Sequence, residues 1–159
     1  MSDEESVSIK VSLPLDEGYL RRECPTCLRQ FKWWHGAHPD RPADVRDPDE
    51  YHCPYCNATA PSGAWLTQAQ AELARATGLR AAQDLVREGL SDAIRDLNRT
   101  GLLKADLEFE HISESVPLDE PPDMIAVTPP CHPYEPLKVE ESWKEPVHCL
   151  FCGKAFNQP

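Results

Sequence analysis

Aliphatic and phenyl side chains are scarce: Leu, Ile, Val and Phe together supply 32 of 159 residues, about the fraction below which chains tend toward disorder. One large continuous core is therefore not expected. Gly is also rare, at 7 residues, whereas Pro reaches 16, so the irregular segments should be stiff. No apolar run approaches the roughly 20 residues that cross a bilayer. The first residues, Met1-Ser2-Asp3-Glu4-Glu5, are acidic where a secretory signal would be basic. A cytoplasmic protein without a membrane segment is expected. Missing as well are a Ser-His-Asp frame, a phosphate-gripping glycine loop and a pair of carboxylates flanking a cleft-like segment. A non-enzymatic role is expected on that ground, with His35, His38 and His111 as solvated surface residues.

Positive charge is in deficit. The net charge of −11 is concentrated at the two ends, since residues 1–18 carry five acids and one base and residues 104–159 carry eleven acids and four bases, while 19–103 is balanced. A chain of this balance repels a phosphate backbone, which disfavours nucleic acid as a partner without closing that route through the neutral middle.

Five segments differ in texture. Residues 1–18 hold an acidic tail and an alternating stretch, 6–13, with Val7, Ile9, Val11 and Leu13 on one face, the period of a half-buried strand. Residues 19–66 are short apolar pieces separated by turn signals such as Asp47-Pro48-Asp49, the pattern of a small β module. In residues 67–103, Thr67-Gln68-Ala69-Gln70 has the form of a capping box. Leu73, Ala76, Val86, Leu90, Ala93 and Leu97 then recur at helical spacing, and Gly101 stands where a C-terminal cap belongs. A helix over 67–100 has more apolar stripe than a small β module can cover, so it is expected to pack on a copy of itself or on another protein, or else to fold back under the modules. Residues 104–128, acidic and punctuated by Pro117, Pro121 and Pro122, read as a linker, with Leu107, Phe109 and Ile112 able to dock on the helix. Residues 129–159 form a second, smaller module.

Seven cysteines carry the chemistry. In a reducing compartment an odd number fits metal ligation better than disulfides. Cys24-Pro25-Thr26-Cys27 and Cys53-Pro54-Tyr55-Cys56 are two C-x2-C pairs. Two intervening residues let both sulfurs of a pair face one ion, and two such knuckles complete the tetrahedron that zinc accepts. The frame Tyr51-His52-Cys53-Pro54-Tyr55-Cys56 is echoed by Val147-His148-Cys149-Leu150-Phe151-Cys152, with Cys131-His132 upstream. Three sulfurs and one imidazole would make a Cys3His site. Because four cysteines already fill the first site, His52 should not be a ligand, and by analogy neither should His148. That favours His132 as fourth ligand, with His148 as the alternative.

Residues 19–65 resemble zinc-ribbon and rubredoxin-like modules, in which two knuckles at the tips of β-hairpins grip one metal. The resemblance implies Cys24, Cys27, Cys53 and Cys56 as ligands of a structural zinc. Rubredoxins place Gly after the second Cys of a knuckle, where this chain has Leu28 and Asn57, a departure that speaks against an electron-transfer iron. A glutaredoxin-like dithiol at Cys53 is excluded because a poor helix start follows it.

Lys32-Trp33-Trp34-His35, near Arg21, Arg22 and Arg29, mixes bases with aromatics as a base-stacking surface would. The competing reading makes Trp33 or Trp34 the hydrophobic plug of a small ribbon, with Trp65 and Trp143 as further plugs. The sequence thus leads to an α+β protein with two small zinc-ribbon-like β modules flanking a long amphipathic helix. Two structural zinc ions are expected, one on Cys24, Cys27, Cys53 and Cys56 and one on Cys131, His132, Cys149 and Cys152. The function expected is that of an adaptor or scaffold for a protein partner. A nucleic-acid-binding zinc-ribbon regulator and a rubredoxin-like electron carrier are the alternatives.

Overall fold

The computed structural model describes residues 9–99, 101 and 118–159. The class is α+β, and the chain divides into two compact units, one of residues 13–70 with 118–159 and one of residues 1–12 with 71–117. The expected strand over 6–13 is absent from its described part, since residues 9–13 form no strand. Residues 6–8, the docking residues Leu107, Phe109 and Ile112, and His111 lie outside the described residues.

Eight short strands build the first unit: β1 (Tyr19–Glu23), β2 (Gln30–Trp34), β3 (Glu50–His52), β4 (Thr59–Pro61), β5 (Met124–Val127), β6 (Leu137–Glu140), β7 (Val147–His148) and β8 (Ala155–Phe156). Two hairpins, β3–β4 and β7–β8, stand alone, and a four-stranded antiparallel sheet has the order β1-β2-β6-β5. Residues 19–66 and 129–159 are thus not separate modules: β2 pairs with β6, placing Trp33 opposite Leu137 and Lys32 opposite Lys138. Nor is 104–128 a linker throughout, because β5 pairs along the whole of β6. Each piece buries too little apolar surface to stand alone, and sharing a sheet gives both a common core.

The register sorts the sheet into two unlike faces. Leu20, Phe31, Trp33, Leu137, Val139 and Val127 fall on one side by alternation, and these side chains, with Trp65, form the core. Phe31, Trp33 and Trp65 meet edge to face at centroid distances of 5.7–6.3 Å. Arg21, Lys32 and Lys138 fall on the other side. Like charges opposite each other across strands repel, and acids drawn from distant segments offset this. Asp16 Oδ2 lies 2.8 Å from Lys32 Nζ and 2.9 Å from Lys138 Nζ. Glu120 and Asp123, from the acidic segment, bind both Lys32 and Arg21 at 2.6–3.0 Å. Glu17 and Gly18, both at positive φ, make the tight turn that presents Asp16.

In α1 (Gln68–Arg99) the capping box forms as the sequence requires. The Gln70 N–H donates to Thr67 Oγ1, and Gln70 Oε1 accepts from the Thr67 N–H, both at 3.1 Å. Gly101, at φ +69, follows the helix end. Leu79, Val86, Leu90 and Leu97 are 41–54% exposed. Among the described residues, no helix is long and apolar enough to cross a membrane.

Candidate metal centres

Hairpin tips place the C-x2-C pairs. Cys24 and Cys27 lie between β1 and β2, Cys53 and Cys56 between β3 and β4, and Cys149 and Cys152 between β7 and β8. The three knuckles share one backbone. In each, the residue after the second Cys turns back to donate its N–H to the carbonyl of the first: Leu28 to Cys24 at 2.9 Å, Asn57 to Cys53 at 3.0 Å, Gly153 to Cys149 at 2.9 Å. The first Cys donates in turn to Arg29, Ala58 and Lys154 at 2.8–3.0 Å. Such a reversal needs a left-handed residue, and Leu28, Asn57 and Gly153 have φ of 63°, 61° and 72°. Only one of the three is glycine, so the lack of Gly at Leu28 and Asn57 carries no information about the metal.

Cys24, Cys27, Cys53 and Cys56 converge, as do Cys131, His132, Cys149 and Cys152, with the donor atoms of each set within 4.8 Å of one another. A metal–sulfur bond of about 2.3 Å in a regular tetrahedron demands sulfur–sulfur edges of about 3.8 Å. Cys24–Cys56 and Cys27–Cys53 stand at 3.7 and 3.8 Å, and Cys131–Cys152 at 3.5 Å. His132 Nδ1 is 3.3 Å from Cys149 Sγ. A bend at Pro130-Cys131 brings two adjacent residues to one centre. His148 is turned away, with Nδ1 3.2 Å from the carbonyl oxygen of Pro54. All seven thiols are free of disulfides, and both donor sets fit a divalent ion of zinc's size and softness.

Local fields divide the thiols. Burial tends to raise Cys24, but the amide N–H groups of Cys27 and Thr26, 3.4 and 3.3 Å from its sulfur, outweigh that and hold it below the ordinary thiol value. Burial dominates at Cys53, which is raised far above that value, and at Cys149, pushed up to about 12. At Cys152 burial is overcome by the Lys154 amide and the neighbouring thiols, and its pKa is lowered. Each cluster therefore pairs an acidified thiol with one whose proton a bound metal would have to displace.

The two clusters are joined by a local two-fold-like exchange. The His52 N–H donates to the Leu150 carbonyl at 2.8 Å, and the His148 N–H donates to the Pro54 carbonyl at 2.9 Å. Pro54 and Leu150 occupy the same knuckle position, as do His52 and His148. The His52 ring bonds Asn57 at 3.0 Å, and both pack on Gly153. Phe151 stacks on Tyr51 at 5.8 Å and on His132 at 5.4 Å.

Tyr55, inside the second knuckle, has a role the sequence did not signal. Its hydroxyl donates to the Gln30 carbonyl at 2.8 Å and accepts from the Glu140 N–H at 3.0 Å, inserting between β2 and β6 where their ladder ends. Trp143 covers its ring at 4.8 Å, so this plug serves the first cluster as well as the second segment. The basic–aromatic patch is largely neutralised. Lys32 is fully buried, Arg21 is paired with Glu120 and Asp123, and Arg29 lies 3.0 Å from Glu140. His35 is exposed, and His38 stacks on Trp34 at 5.0 Å. Comparison of the chain with protein-family models, with curated proteins and with solved structures finds no match in any of the three.

Proposed function

We propose that the chain is a non-enzymatic adaptor whose strand-rich unit is stapled by two structural zinc ions and whose helix engages a protein partner. The carrying observation is the pair of four-donor clusters with near-tetrahedral edges. Four protein ligands fill zinc's usual shell, the pattern of structural sites, whereas catalytic sites keep one position for water or substrate. Bound zinc would supply folding free energy to a unit with little apolar surface to bury. Cys24, Cys27, Cys53 and Cys56 would hold one ion, and Cys131, His132, Cys149 and Cys152 the other.

The working surface is then α1. Leu79, Val86, Leu90 and Leu97 follow one another at steps of seven, four and seven, which at about 100° per residue places them within a narrow arc. This is the seam spacing of helices that pack side by side, and it favours a helical partner, a second copy included. Paired cations at Arg21, Lys32 and Arg29 favour protein over nucleic acid.

Native mass spectrometry counts metals and subunits together. Two zinc ions per chain are expected, and a strong chelator should collapse the thermal melt of the strand-rich unit. Colourless protein is expected; a red sample that bleaches on reduction would replace zinc with iron. Leu90→Asp should abolish association without moving the metal count. A metal-free chain whose melt is unchanged would refute the reading.

A further inference from the structure

Arg22 is out of place. By alternation it belongs to the apolar face of the sheet, opposite Phe31, where its neighbours are hydrophobic. Its neighbour Arg21, on the polar face, is met by two carboxylates. Arg22 has none: its guanidinium carbon lies 4.5 Å over the Trp33 ring, and its buried Nε has no hydrogen-bond partner. An unpartnered guanidinium on a core face is costly, and Leu or Met would fill that position at no such cost.

The space beside it explains the cost. Arg22 lines a cleft of about 350 Å³ with Trp33, Trp34, Tyr51, Arg41 and Glu135. On that lining Arg41 is already held, 2.9 Å from Asp47 and 3.5 Å from Glu135. The cleft therefore offers one uncommitted cation among aromatic rings, with acids alongside. A dianionic phosphate would face Asp47 and Glu135 with only Arg22 in compensation, whereas a carboxylate matches a single guanidinium in charge and in its planar, two-pronged geometry.

We propose that this cleft binds a carboxylate through the terminal amino groups of the Arg22 guanidinium, with an adjoining apolar or aromatic group of the ligand lying against Trp33, Trp34 and Tyr51. The carboxylate can belong to a small aryl acid or to an acidic or C-terminal residue of a peptide. The cleft borders the Cys149 knuckle through Leu150, but none of its lining residues belongs to either Cys/His cluster.

The test is an NMR titration of the full chain in its metal-loaded form, following the Arg22 Nε–H and the Trp33 and Trp34 indole N–H signals. Probes are acetate, phenylacetate, inorganic phosphate, a blocked peptide with one internal Glu, and the same peptide with a free C-terminus. Saturable shifts are expected with phenylacetate or a peptide, at least tenfold tighter than with acetate or phosphate. Phenylacetate alone would identify a small-acid ligand, and a peptide alone a protein ligand. Arg22→Met should abolish these shifts while leaving the thermal midpoint equal or higher, because it removes an unsatisfied buried donor. No saturable shift with any carboxylate, shifts that persist in Arg22→Met, or phosphate binding as tightly as phenylacetate would overturn the proposal. So would loss of fold in Arg22→Met, which would make the arginine a structural element.

Discussion

Gly153→Ala isolates the contact between the Cys53 and Cys149 knuckles. Two costs add. The residue sits at φ +72, where a side chain carries a penalty of about 1–2 kcal/mol. A Cβ there would also lie 2.5 Å from His52 Nδ1 and 2.6 Å from Asn57 Oδ1, so either the knuckles separate or the His52–Asn57 hydrogen bond breaks. Overpacking of this kind costs typically 1–3 kcal/mol. The sum, about 2–5 kcal/mol, corresponds to a fall in thermal midpoint on the order of 10 °C or more for a unit of this size. Strain alone would leave the metal sites independent. Displacement of His52, which directly precedes Cys53, would also loosen the first cluster. A thermal melt at saturating zinc, together with metal release to a chromophoric chelator, separates the two. The expected result is a lowered midpoint with faster release of both ions. A midpoint within about 2 °C of the parent, with unchanged release, would show that the knuckles do not pack as described.

Three further perturbations follow from the same physics. Leu28→Gly should stabilise the protein by up to about 1 kcal/mol, since the side chain is 67% exposed and the backbone left-handed at φ +63; a urea titration reads the change. Asp16→Asn should destabilise by about 1.5–3 kcal/mol, because it removes the carboxylate shared by Lys32 and Lys138 and leaves Lys32 with Glu120 and Asp123 and Lys138 with Glu17. The hydrogen bonds from Lys32 and then Lys138 hold the Asp16 pKa below 3.8. The parent therefore has this stabilisation in full above that value and loses it as pH falls through the lower folded-state pKa, a loss the Asn variant should not show. Glu135 behaves oppositely. Burial pushes it up to about 7 from 4.5, against the pull of Arg41, so its neutral form is favoured in the fold and stability drains away as pH climbs from about 4.5 to 7. In Glu135→Gln the melt should flatten across that window, with a gain on the order of 2–3 kcal/mol at pH 8; an unchanged pH profile would refute the buried-carboxyl account.

Features set by neighbours in sequence were legible in the residues. The capping box at Thr67–Gln70 and the convergence of each C-x2-C pair depend on atoms a few positions apart, and spacing alone specifies them. Partnership across the chain was not legible. Residues 9–13 alternate but form no strand, because alternation makes a segment competent to pair without supplying an edge to pair with. Met124–Val127 sits in an acidic, proline-marked segment that reads as a linker, yet it pairs with β6. The acids themselves hid the reason. Lys32 and Lys138 look like solvent-facing residues of strands, and their burial becomes tolerable only when Asp16, Glu120 and Asp123 arrive from segments remote in sequence.

The internal echo held more than a pair of ligand sets. Tyr51 and Val147 pair with Ala60 and Phe156, and His52 and His148 with Thr59 and Ala155, so the two hairpins repeat at a constant offset of residue number. Each then uses the same N–H and the same carbonyl position to hold the other. A repeated motif with both groups pointing outward satisfies its own backbone by docking on its copy; the exchange uses the amides of His52 and His148, while their rings are held by Asn57 and by the Pro54 carbonyl. The repeat accordingly accounts for two features at once: why neither His52 nor His148 joins a donor cluster, and why the sulfur clusters occupy one unit instead of the two ends of the chain. It follows that emptying either cluster should weaken the other, through two hydrogen bonds that close only when both knuckles keep their turns.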